Sequence, residues 1–157
     1  MGLDVKKYLK QINISFIVFT HPPVYTVEQA KECSKDIRGV HSKNLFLKNK
    51  HSTKFYLVII PDDQKANMKE LGFLAGDSLT FASERNLKDV LGLTPGAVSP
   101  FGLINNKDNA VELLIHKAIW ESKYLSFHPN INTETLELKG EDFHRFVELL
   151  GIKYYIV

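Results

Sequence analysis

Apolar positions along the chain change period several times, and each change predicts an element. Leu3, Val5, Leu9 and Ile12 fall near one helical face, which predicts a helix over residues 3–12. The β-branched and aromatic run Ile14 to Phe19 reads as a strand, stopped by Thr20-His21-Pro22-Pro23 because proline cannot donate to a ladder. A short helix is predicted over Val27 to Lys35, with Glu28 favouring the dipole of its first turn. Asn44 to Lys48 and Lys54 to Ile60 read as two strands of a hairpin, joined by the polar tract Asn49 to Thr53. Helices are predicted at Ala66 to Phe73, ending near Gly72 or Gly76, and at Glu84 to Leu91, with Ser83 as its N-cap. Leu79 to Ala82 is a short strand between them, and Leu103-Ile104 begins another. Val111 to Ile115, Tyr124 to Phe127 and Thr135 to Leu138 follow as strands. Phe143, Phe146, Val147 and Leu150 keep helical spacing over Glu141 to Leu150, and Ile152 to Val157 closes the chain as a strand. Strands interrupted by short helices, without regular βαβ alternation, predict an α+β domain around a mixed sheet.

Composition adds bounds. At 157 residues and 44% hydrophobic content, the chain has the size of one domain (1–157) and can bury a full core. Twenty basic residues against 18 acidic leave a formal charge of +2, which excludes a histone-like binder but not local recognition of a phosphate. Cys33 stands alone, so neither a disulfide framework nor a cysteine-rich zinc site is expected. The N-terminus lacks an apolar signal core, and Lys6 stands where a myristoylation motif needs Ser or Thr. No apolar run reaches the roughly 18–20 residues of a membrane span, so the expected setting is a reducing cytoplasm.

The densest punctuation lies in Leu93 to Leu103, with two glycines and two prolines. Gly96, Ala97, Val98, Ser99 and Pro100 read as a rigid loop whose N–H groups can point at an incoming carbonyl or phosphate oxygen; the same punctuation also marks ordinary turns. Lys43-Asn44 opens an otherwise apolar strand. It reads either as a solvated strand end or as a lysine for a phosphate beside an amide for a carbonyl or hydroxyl. His128, before Pro129, either faces a site or caps its strand. The six histidines show no paired metal-ligand spacing, and no metal site is expected. Ser99 is outside a nucleophile elbow, and neither a Walker loop nor a dinucleotide fingerprint is present.

Three segments together are more specific. Ser42 to Lys48, Pro95 to Leu103 and Phe127 to Leu136 resemble the corresponding motifs of the prolyl-tRNA editing proteins of the YbaK/ProX group. These are free-standing relatives of the editing domain inserted in bacterial prolyl-tRNA synthetases. The resemblance runs from His21-Pro22-Pro23-Val24-Tyr25-Thr26 to the closing helix. It implies an α+β domain with a curved mixed sheet. It also implies an aminoacyl-tRNA deacylase that cleaves a wrong amino acid from the terminal adenosine of a mischarged tRNA. The loop is similar to that of the branch that clears alanine from proline tRNA, and lacks the Gly-Gly form usual in the cysteine-clearing branch. By the same resemblance, Lys43 anchors the terminal adenosine through its phosphate and Asn44 orients the ester. The donors of Gly96 to Pro100 hold the carbonyl oxygen, and His128 shapes the amino-acid pocket. Val24, Tyr25, Thr26 and Val27 are further candidate walls. No cofactor and no protein nucleophile are implied: water attacks, aided by the substrate's vicinal hydroxyl. Prolyl-tRNA synthetase is the expected protein partner. The alternatives are a non-catalytic tRNA-end or nucleotide-binding module of the same fold, and a deacylase for another charge such as Cys-tRNA(Pro).

Overall fold

A computed structural model of the chain describes residues 4–23, 28, 29, 32, 35–106 and 110–157. Its strands fall into two sheets. The larger is mixed and runs β4-β2-β3-β5-β8, from β2 (Ser42–Asn49), β3 (Phe55–Pro61), β4 (Leu79–Phe81), β5 (Val111–Ile115) and β8 (Tyr154–Ile156). Within it, β2 pairs antiparallel with β3 and β4, while β5 is parallel to both β3 and β8. The smaller sheet is antiparallel, with β7 (Glu134–Lys139) between β1 (Ile17–Thr20) and β6 (Tyr124–Phe127).

The apolar run Phe55–Pro61 is buried at every position, as is Val111–Ile115, which is what strands covered on both faces require. Burial of Glu112 on β5 is offset by the Lys54 ammonium 2.7 Å away. One face of the large sheet contributes Phe46, Leu57, Ile59 and Leu113 to the main core. Leu125, Phe127, Leu136 and Leu138 of the small sheet join it, together with α1 (Val5–Gln11), α3 (Glu84–Leu91) and α5 (Gly140–Leu150). The opposite face packs Leu47, Tyr56, Val58 and Ile60 against Leu71 of α2 (Met68–Ala75). Among the described residues no helix is long and apolar enough to cross a membrane.

Capping chemistry sets the helix ends. Ser83 Oγ accepts from Asn86 N–H while the Asn86 side chain accepts from Ser83 N–H, a reciprocal box at the start of α3. Gly92, at φ 68°, ends the helix in the left-handed region.

Four expectations change. The predicted strand at Leu103-Ile104 is instead a 3₁₀ segment, Pro100–Asn105. Proline fixes φ at its first position, and Ser99 Oγ accepts from Phe101 N–H. The first strand begins at Ile17 rather than Ile14, because Asn13 (φ 61°) turns the chain and Ile14 N–H returns to Leu9 O. The last strand shortens to Tyr154–Ile156. An unforeseen turn of helix, α4 (Lys117–Trp120), is capped by His116 Nδ1, which accepts from Ala118 N–H. The helix predicted over Val27 to Lys35 lies largely outside the described residues.

Candidate functional site

β4 pairs with β2 only at Leu47 to Asn49, and the last bond between the two segments is Ala82 N–H to Phe46 O at 2.9 Å. Beyond that point β2 keeps β3 on one side and, among the described residues, has a free edge on the other. Because Phe46 C=O faces that edge, strand alternation turns the N–H and C=O of Asn44 the same way. A cleft of about 240 Å³ opens there, with Asn44, Phe81, Ser83, Glu84, Pro95 and Val98 in its lining. The structure thus brings Asn44 and the Pro95 to Val98 turn together across one space. Asn44 Oδ1 is buried without a hydrogen-bond partner among the described residues.

The turn commits only some of its donors. Ala97 N–H goes to Thr94 O, Phe101 N–H to Ser99 Oγ and Gly102 N–H to Ser99 O. Gly96 and Ser99 N–H make no hydrogen bond to a described residue. Gly96 is exposed, whereas Ser99 has no exposed surface, so of these two donors it is that of Gly96 that is open to a ligand as the loop stands. Ala97 and Pro100 are buried and hold the turn in place. Ser99 is therefore a cap. Ser83, the serine that lines the cleft, spends its hydroxyl on Asn86 Oδ1 at 2.8 Å. Glu84 is the one formal charge lining the cleft among the described residues, placed in the first turn of α3 where a carboxylate is favoured.

Lys43 does not share a side with Asn44. Successive strand residues face opposite ways, and the register sets Lys43 against Ile60 of the outer core and Asn44 against Ile59 of the main core. Lys43 makes no ion pair with a described residue, and its ammonium must round the free edge of β2 to meet anything held by Asn44.

His128 directly follows β6 and does not line the cleft. Its Nδ1 donates to Glu134 O at 2.8 Å, which leaves Nε2 as the acceptor in the neutral ring. Burial pushes its pKa below the usual histidine value; the bond to Glu134 opposes this, and the nearby His21 ring adds to it. The two rings lie 5.8 Å apart, and His21 Nε2 meets Thr135 Oγ1 at 2.8 Å. The segment after His128 reaches the turn: Asn130 adopts a left-handed conformation (φ 64°), and Asn132 Nδ2 lies against Gly96. Val24, Tyr25, Thr26 and Val27 fall outside the described residues. Among the described residues no three His, Cys, Asp or Glu side chains gather in a metal-binding group.

Phe81, Asn132 and the His21–Thr135 pair were not singled out from sequence, and Ser83 was read as a helix cap rather than as part of a cleft. Asn132 stood inside a recognised motif, but its neighbour Gly96 is brought to it by the tertiary fold alone. The exposed phenylalanine at the end of β4 carried no motif.

Comparison with known proteins converges on one family. The aminoacyl-tRNA editing domain model matches residues 21–146. The prolyl-tRNA editing protein ProX of Acetoanaerobium sticklandii is 35% identical over 156 residues, covering 96% of this chain and 95% of that protein. The prolyl-tRNA synthetase associated domain-containing protein 1 of Mus musculus is 32% identical over 153 residues, covering 94% and 90%. Among solved structures, the hypothetical protein APE2540 superposes with a TM-score of 0.77 at 19% identity, covering 99% of each chain. A protein described as a candidate trans-editing enzyme for prolyl tRNA synthetase gives a TM-score of 0.71 at 11% identity, covering 99% and 97%. At those identities the two structures establish a shared fold.

Proposed function

Because the chain belongs to the aminoacyl-tRNA editing domain family, we propose that it is a trans-acting, cytoplasmic deacylase of mischarged proline tRNA, with alanine as the amino acid removed. The observation that carries this reading is the meeting of Asn44 and the Pro95 to Val98 turn across one cleft, with an unspent Gly96 donor within that turn. An aminoacyl ester needs such donors, because negative charge gathers on its carbonyl oxygen as a nucleophile adds.

Ser83, the one hydroxyl residue lining the cleft among the described residues, is committed to capping, and the nucleophile in this reading is water. Its oxygen adds to the ester carbonyl, the bond to the ribose oxygen breaks, and a proton passes to that oxygen. The products are free alanine and a tRNA with its terminal diol restored. Asn44 and the Gly96 N–H hold the carbonyl, and the vicinal ribose hydroxyl assists the proton transfer. Lys43 binds the phosphate of the terminal adenosine from the other face of β2. His128 and the segment beside it limit the amino acid by size, and proline is refused because an editing pocket works as a sieve for small side chains. The near-neutral charge of the chain implies modest tRNA affinity, which a prolyl-tRNA synthetase partner would supplement.

The test is to incubate the purified protein with proline tRNA charged in turn with alanine, cysteine and proline. The proposal expects alanine to be released fastest and proline to be retained. Faster release of cysteine would reassign the substrate, and binding without release of any amino acid would leave a tRNA-end binding module.

A further inference from the structure

Phe81 is 62% exposed at the end of β4 and lines the cleft. Its backbone is fixed by pairing with Leu47 and by the following Ala82 N–H to Phe46 O, so the ring stands on a rigid strand end. Phe46, the other ring lining the cleft, is buried and stacked on Phe55 at 5.4 Å. Phe81 belongs to neither core cluster and makes no ring contact with a described residue. Register also decides its side: Phe81 opposes Leu47, so Phe81, Leu45 and Lys43 share one face of the sheet while Asn44 takes the other.

We propose that Phe81 is the platform on which the terminal adenine of the tRNA stacks. This rests on the deacylase reading above and assigns a residue to a part of the substrate that reading leaves unplaced. The base and the ester are carried by the same ribose, so the ring that meets the base must border the cleft that holds the ester. Phe81 is the one free aromatic face there among the described residues. Lys43 and Leu47 are four positions apart on β2, about 13 Å at about 3.3 Å per residue. A lysine stem and one nucleotide can bridge that span. The nucleotide then lies along one face of β2, from Lys43 to Phe81, and its ester passes over the free edge to Asn44 and the turn. Glu84, next to Phe81 on the rim, makes this end unfavourable for a phosphate and leaves it to the uncharged base. An unpaired ring also suits an adenine that is already single-stranded, since stacking then needs no base pair broken.

The experiment uses uncharged proline tRNA whose terminal adenine is replaced by 2-aminopurine, a base whose emission falls on stacking. Wild-type protein should quench the probe, Phe81→Ala should abolish the quenching, and Phe81→Trp should restore it. On Ala-tRNA(Pro), Phe81→Ala should raise KM by about 5- to 150-fold with kcat nearly unchanged, the range expected for losing one base–aromatic stack. Because the ring is exposed, the variant should melt with the wild type, which separates lost stacking from lost folding. Quenching by Phe81→Ala equal to that of wild type, or none by either protein, overturns the assignment. Quenching by a wild-type protein that releases no amino acid would sustain the platform and refute the deacylase.

Discussion

Asn132 Nδ2 lies 3.4 Å from the place a Cβ on Gly96 would occupy, so the two loops that frame the turn touch where Gly96 has no side chain. One methyl there meets ordinary contact distance, whereas a branched side chain must displace Asn132 or the turn. Gly96→Ala should therefore keep most activity. Gly96→Val should lower the rate of Ala-tRNA(Pro) hydrolysis by about 100- to 1,000-fold, the typical loss of one aligned oxyanion donor. Pro100→Ala, which only loosens the buried support of the turn, should do less. Binding of a non-hydrolysable aminoacyl-adenosine mimic, measured beside turnover, separates the roles. Equal losses in both would make the turn a wall of the pocket rather than a donor to the transition state.

Lys43 stands across the strand from Asn44, and the account gives the two residues different parts of the substrate. Lys43→Ala should nearly abolish deacylation of full-length tRNA while leaving the melting temperature close to wild type, since surface substitutions usually move stability by only about ±0.5 kcal/mol. Wild-type turnover by the folded variant would remove the lysine from the site.

Much of this arrangement was legible in the sequence where local chemistry decides. Ser83 reads as a cap because a hydroxyl before a helical repeat satisfies an orphan N–H, and the structure places it there. Val111 to Ile115 reads as a strand, and the structure buries every position of it, Glu112 included, as a strand covered on both faces requires. Leu103-Ile104 misleads for the converse reason: its apolar character serves the core, while Pro100 and Ser99 upstream wind the chain into 3₁₀ turns. Lys43-Asn44 reads as a unit in one dimension, and only the register with Ile60 and Ile59 reveals that it straddles the sheet. The meeting of Gly96 with Asn132 and the role of the unpaired Phe81 depend on long-range packing that no local pattern carries.

His128 is placed by its bond to Glu134 O rather than by any contact with the cleft. If it shapes the amino-acid pocket through the segment that follows it, His128→Ala should change the ratio of alanine to proline release more than it changes tRNA affinity. Rates on Ala-tRNA(Pro) and Pro-tRNA(Pro) give that ratio, and an unchanged value would leave His128 as a strand-end residue.

Glu137 is 2% exposed and is held by Arg38 through its backbone N–H at 2.8 Å and its guanidinium at 2.7 Å. Burial alone would raise its carboxyl pKa, but the Arg38 hydrogen bonds and charge outweigh it and hold the pKa below the usual glutamate value. The folded state thus binds this proton less readily than the unfolded state. The stabilisation is fully present above the ordinary glutamate pKa of 4.5 and is lost as pH falls through the lower folded value. Thermal melts of wild type and Glu137→Gln should therefore differ most at neutral pH and converge in acid. A difference independent of pH would mean that the ion pair is not what Glu137 supplies.

The central claim is that the cleft beside the free edge of β2 is where the ester is broken, and Asn44 tests it most directly. Its Oδ1 has no partner among the described residues, so Asn44→Ala forfeits no recorded internal side-chain hydrogen bond and should fold as wild type does. The measurement is the single-turnover rate of Ala-tRNA(Pro) hydrolysis at saturating enzyme, which removes binding from the comparison. The account predicts a fall of about 100-fold or more, in the range seen when a carbonyl-orienting donor is lost. A rate equal to wild type in the folded variant would contradict it and place the chemistry elsewhere on the protein.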